Sequence, residues 1–159
     1  MRTSEFSRFY QDLLGRKFVD GGRDPATGLD CLGVVRAYLS RVRAQLPPDA
    51  FPLDQTETTA GEALGWLEGC AARWWDRLGD SPLDARLLGD VVFTMAGRDI
   101  KRPHVSVLVY PVHPKLLLSA TIHRGTYTIP LDRALVGREL IGVYRLRYEP
   151  REPLGRKAA

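Results

Sequence analysis

Cysteine is scarce in this chain, with two in 159 residues, Cys31 and Cys70. Two cysteines make no disulfide framework, and no Cys-x-x-Cys or Cys/His pairing points to zinc. No metal site and no cofactor are expected. Long apolar runs are missing as well. None approaches the roughly 18 residues that a membrane-crossing helix needs, so no membrane span is expected. The opening stretch "MRTSEFSRFYQDLLGRK" carries charges throughout and leaves no apolar region for a signal peptide, which predicts synthesis in the cytoplasm. Histidine is the third shortage: chemistry that needs an imidazole has only His104, His113 and His123 to draw on. Charge of one sign is not concentrated either. The formal net charge of +4 comes from arginines spread along the chain, so no nucleic-acid partner is expected.

What is present suits one globular domain. The chain is long enough to bury a sizeable core, and its 44% hydrophobic residues are enough to fill one. Residues 1–150 read as that domain, and the polar stretch 151–159 as a mobile tail. Phe6, Phe9, Tyr10, Leu13 and Leu14 recur at helical spacing before Gly15, predicting a helix over 4–14. A second helix is predicted over about 31–46, with Asp30 as its N-cap and Leu32, Val35, Tyr38, Leu39 and Val42 as its apolar stripe. Residues 47–88 read as an insertion holding a third helix over about 59–78. Its Trp66, Trp74 and Trp75 are expected in the core rather than in a groove.

From Gly89 onward the pattern changes to period two. "DVVFTM", "HVSVLVY", "KLLLSATI", "TYTIPL" and "LIGVYRLR" predict five strands joined by short turns. Helices followed by neighbouring strands imply an α+β fold with a mainly antiparallel sheet.

The stretch "GRDPATGLDCLGVVRAYLSR", residues 22–41, ends a turn-rich loop on a cysteine at a predicted helix start. Unpaired N–H groups and the macrodipole at such a position favour a thiolate, and they can also receive an oxyanion. Cys31 is therefore the candidate nucleophile, with a thiol pKa expected to be lowered. Cys70, inside a predicted helix, is expected to be inert. Of the histidines, His104 opens a strand directly after Pro103, His113 lies in the turn "PVHP", and His123 ends the next strand. Matching Val105, Val107 and Val109 with Leu116, Leu118, Ala120 and Ile122 on one face of a hairpin puts His104 on the other. Ser119, Thr121 and His123 share that other face. One of these is expected to orient the imidazole.

The order of these motifs resembles the NlpC-type cell-wall peptidases, a branch of the papain-like cysteine peptidases. Phe18, Gly21-Gly22 and "GLDCLGVV" resemble the family's aromatic, Gly-Gly and Asp-Cys elements; "GDVVFTM" and "HVSVLV" resemble its next two strands. The spelling "GGRDPATGLDC" is most similar to members associated with phage tails. The resemblance implies a papain-like NlpC-type fold, with Cys31 as nucleophile and His104 as base and acid. It implies Ser119 in the third position, with His123 as the alternative orienter, and Phe18, Asp30 and Leu32 around the oxyanion site and cleft. It further implies peptidoglycan stem peptides as substrate, phage tail hub or tip proteins as partners, and a place in a virion or phage-like particle. The rival reading is a tail-tip structural protein that keeps the fold with little activity. This chain departs from the family pattern at three points: Phe18 lacks the usual tyrosine hydroxyl, Leu32 replaces a small residue, and Ser119 replaces a histidine.

Overall fold

The computed structural model of the protein describes residues 6–43, 46, 65, 73–96 and 102–147. Cys70, Trp66, most of the 47–88 insertion and the 151–159 tail lie outside the described residues. The chain enters through a short helical turn and a 3-10 turn, Gln11–Leu13, instead of the continuous helix predicted over 4–14. Tyr10 has φ −133°, which breaks the helix. Phe6, Tyr10 and Leu13 are buried all the same, so the apolar spacing serves the core without a full helix. Gly15 ends the segment with φ +72°, and its N–H donates to the Thr126 carbonyl at 2.9 Å.

Two-residue strands β1 (Arg23–Asp24) and β2 (Gly28–Leu29) pair antiparallel and lead into helix α1, Cys31–Val42. Asp30 caps α1 as predicted: its carboxylate accepts from the Gly33 N–H at 2.7 Å. The helix stops short of residue 46 because Arg43 takes an extended conformation, φ −124° and ψ 137°. The Arg43 guanidinium then donates to the Arg147 carbonyl, which ties the helix end to the last strand.

Six further strands form one sheet: β3 (Trp75–Gly79), β4 (Val91–Ala96), β5 (Arg102–Tyr110), β6 (Leu116–Thr121), β7 (Gly125–Pro130) and β8 (Glu139–Leu146). They lie in the order β3-β8-β4-β5-β6-β7, every neighbour antiparallel. The five strands expected are all present. The sixth, β3, corrects the helix expected over 59–78 at its C-terminal end. Ala71, Trp74 and Leu78 mimic a helical stripe, yet Trp75 is 3% exposed in a strand paired to Leu146 of β8. Trp75 therefore lies in the core, and Trp74 packs against it, half-buried.

Alternation splits the core between the two faces of the sheet. Val91, Phe93, Val105, Val107 and Leu118 pack with Leu32, Val35 and Tyr38 of α1. Val92, Leu108, Leu117 and Val143 pack on the other face against Leu131 and Ala134 of the short helix α2, Leu131–Ala134. Each side chain buried this fully contributes about 1.5–3 kcal/mol. The predicted facing of β5 and β6 holds except at Ile122, which lies beyond the end of β6 and is 73% exposed.

One detail of the sheet matters most for the site. β4 pairs with β5 along its whole length, from Val91–Val107 to Ala96–Arg102. β5 pairs with β6 only from Tyr110–Leu116 to Val107–Leu118. Beyond that point, residues 104–106 of β5 and 119–121 of β6 are not ladder partners.

Candidate active site

The loop before α1 is built by glycines that bring main chain against main chain. A Cβ on Gly22 would stand 2.4 Å from the Gly28 carbonyl oxygen, and one on Gly33 would stand 2.0 Å from that of Gly22. No other residue fits at either place without displacing backbone. Asp30 locks the same junction. Besides capping Gly33, it accepts from the Gly21 N–H at 3.1 Å and from the Arg23 guanidinium at 2.5 Å. Phe18 bridges to Leu29 beside this junction and is half-buried against the core. Asp30 is thus a buried structural clamp with its carboxylate fully engaged. The Leu32 side chain, 1% exposed, belongs to the core and cannot line a cleft; only its main-chain N–H faces the site.

Cys31 opens α1 with its thiol against the main chain of Val105, at the part of β5 that β6 leaves unpaired. The main-chain N–H groups of Val105 and Leu32 lie near the sulfur and favour its charged form. The expected lowering of the thiol pKa is nevertheless overturned. Burial pushes it up to about 11, helped by the neighbouring Asp30 carboxylate; the two N–H groups and Arg23 offset only part of this. Removing the thiolate from water costs more here than a helix terminus returns.

One residue before Val105, His104 leaves the strand on the opposite face. Its Nε2 lies 2.7 Å from Oγ of Ser119, and the Ser106 hydroxyl donates to the same Oγ at 3.1 Å. Ser106 and Ser119 are both buried, so this chain of hydroxyls is shielded from water. The imidazole pKa is lowered to about 4, first by burial and then by the positive charge of Arg138. At neutral pH the site therefore holds a neutral thiol and a neutral imidazole. Among the described residues the two are not hydrogen-bonded to each other; the thiol stands against Val105, the residue that follows His104.

His123, the alternative orienter, sits exposed in the turn between β6 and β7, and His113 is exposed in the turn after β5. Ser119 alone of the candidates reaches His104. Thr121 ends β6 opposite Gly125 of β7. Two neighbours of His104 were not singled out from the sequence. Ser106 carried a usable signal, two residues on along the same strand face. Thr94 carried none: it is the β4 partner of His104, and its buried hydroxyl has no hydrogen-bond partner among the described residues.

Among the described residues no cluster of three or more His, Cys, Asp or Glu side chains could hold a metal ion, and no helix is long and apolar enough to cross a membrane. No family model matches the chain, and no curated protein matches it.

Proposed function

We propose that this protein is a cysteine peptidase, built on a papain-like fold of the NlpC type, that hydrolyses amide bonds in peptidoglycan stem peptides. Its setting is a phage tail or phage-like particle, with hub or tip proteins as neighbours. The observation that carries this reading is the opening of the β5–β6 ladder. There the thiol of the first residue of α1 stands near the main chain of Val105, the residue after a histidine held by Ser119.

In the reaction His104 carries its proton on Nε2 and donates it to Ser119, which leaves the Nδ1 lone pair as the base. As Sγ of Cys31 attacks the scissile carbonyl carbon, Nδ1 takes the thiol proton, so the thiolate exists only as the new bond forms. Main-chain N–H groups at the start of α1 receive the developing oxyanion. The imidazolium then protonates the leaving amine as the C–N bond breaks, and a thioester on Cys31 remains. Water, deprotonated by His104, hydrolyses that thioester and restores the thiol. Closure of ring and thiol to hydrogen-bonding distance accompanies substrate binding, since catalytic contacts are commonly loose without substrate.

Incubation with purified peptidoglycan, read by mass spectrometry of the released fragments, tests this directly. Fragments with new amino termini that disappear in Cys31→Ala support the peptidase. The second reading, a tail-tip structural protein that keeps the fold, draws on the raised thiol pKa and the neutral serine at the third position. It takes over if wild type and Cys31→Ala give identical digests.

A further inference from the structure

The reaction above leaves one buried hydroxyl of the site without a task. β5 and β6 stop pairing at Val107–Leu118, and one step further the two strands present Ser106 and Ser119. There a hydrogen bond between hydroxyls, 3.1 Å long, spans the opening in place of the main-chain ladder. The β4 partner of Ser106 is Val92, which offers no polar side chain. Among the described residues Ser106 Oγ bonds only to Ser119, and Ser119 Oγ only to Ser106 and to Nε2 of His104.

Ser119 Oγ carries one proton and has to place it. If that proton goes to Nε2, the ring keeps its own on Nδ1, and the nitrogen that should take the thiol proton is blocked. If Nε2–H donates to Ser119 instead, Nδ1 keeps its lone pair, but the serine proton needs another acceptor. The Ser106 oxygen can supply it. Each hydroxyl is a rotor, so the 3.1 Å contact can run in either direction. Both serines line a pocket of about 140 Å³ on the α2 side of the sheet. Ser106 is the more exposed of the two, 6% against 1%, so the last proton of the chain meets water there.

We infer that Ser106 is a positioning residue: by accepting the Ser119 proton it holds His104 in the Nε2–H tautomer, with Nδ1 free to act as base. The same direction of bonding serves the imidazolium, whose Nε2–H has to donate as well. What this does for turnover rests on the peptidase reading; the tautomer itself does not.

Long-range proton–nitrogen correlation spectra of the full chain, labelled with nitrogen-15 and kept at neutral pH, report the tautomer without any turnover. The His104 signals are assigned by their loss in His104→Gln. Wild type should show the Nε2–H pattern. Ser106→Ala should move the ratio about tenfold or more toward Nδ1–H, because a buried donor left unpaired is costly. Ser106→Val should do the same, whereas Ser106→Thr, alike in shape but with a hydroxyl, should keep the wild-type pattern. The Val and Thr pair carries the test if Ser106→Ala does not fold. On peptidoglycan, Ser106→Ala should lose about tenfold in kcat with KM little changed, and nothing further in a Ser119→Ala background. An Nδ1–H ring in wild type, a tautomer unmoved in Ser106→Ala and Ser106→Val, a Ser106→Thr that matches Ser106→Val, or losses that add in the double variant overturns the assignment. The expected tautomers with no digestion by wild type leave the role of Ser106 at the ring standing and remove the peptidase. Digestion by wild type with tautomers unmoved does the reverse.

Discussion

Gly33, in the first turn of the Cys31 helix, lies so close to Gly22 of the preceding loop that a Cβ on it would stand 2.0 Å from the Gly22 carbonyl oxygen. Both sides of this contact are main chain, further held by Asp30, so neither can move aside cheaply. Gly33→Ala should therefore destabilise the protein by about 2–3 kcal/mol, the upper range for overpacking. Gly137→Ala is the comparison. Its φ is +70° with open space around it, so only backbone strain of about 1 kcal/mol is expected. Urea unfolding of both variants checks the order, and equal losses would mean that the loop yields.

The Asp30 carboxylate raises the pKa of the Cys31 thiol while Arg23 lowers it. Asp30→Asn keeps an oxygen for the Gly33 N–H but removes the negative charge, so the thiol pKa should fall. Iodoacetamide at pH 8 should alkylate wild type slowly, because the thiol is protonated and buried, and Asp30→Asn several-fold faster. Rates are compared with urea stabilities, since exposure through unfolding would also speed labelling. A rate unchanged in Asp30→Asn would contradict the electrostatic account.

Ser119 is the hydrogen-bond partner of His104, whereas His123 is exposed in a turn. On peptidoglycan, Ser119→Ala should lose about tenfold in kcat/KM and His123→Ala nothing measurable, while Cys31→Ala and His104→Ala abolish turnover. A crippled His123→Ala enzyme would show that the turn rearranges on substrate binding.

The His104 ring has a pKa of about 4 in the fold against 6.5 for the free side chain. Between these values the unfolded chain binds the extra proton, so stability increases with pH across the window. The contribution of the neutral ring is complete above about 6.5 and is lost as pH falls through about 4. Unfolding free energies at several pH values should fall less steeply in His104→Gln than in wild type on the acid side. Activity carries the same signature. With the imidazole near 4 and the thiol near 11, kcat/KM of the free enzyme should be flat from about pH 5 to 10. An acid limb near 6.5 would mean that the ring is hydrated.

The N-cap at Asp30, the strands from Val91 to Leu146 and the shared face of His104 and Ser119 were all legible in the residues, because each rests on local periodicity or capping chemistry. Trp75 could not be read this way. Helical spacing and an edge strand both satisfy its apolar neighbours, and only pairing with Leu146, 71 positions away, decides between them. The charge state of the site was equally out of reach. A helix terminus is visible in sequence, but the burial that pushes Cys31 up and His104 down belongs to the assembled fold. Arg138 is the clearest case. Nothing local marks it out among the arginines, and its bearing on His104 exists only because α2 and the loop before β8 close over the sheet face that carries Ser106 and Ser119.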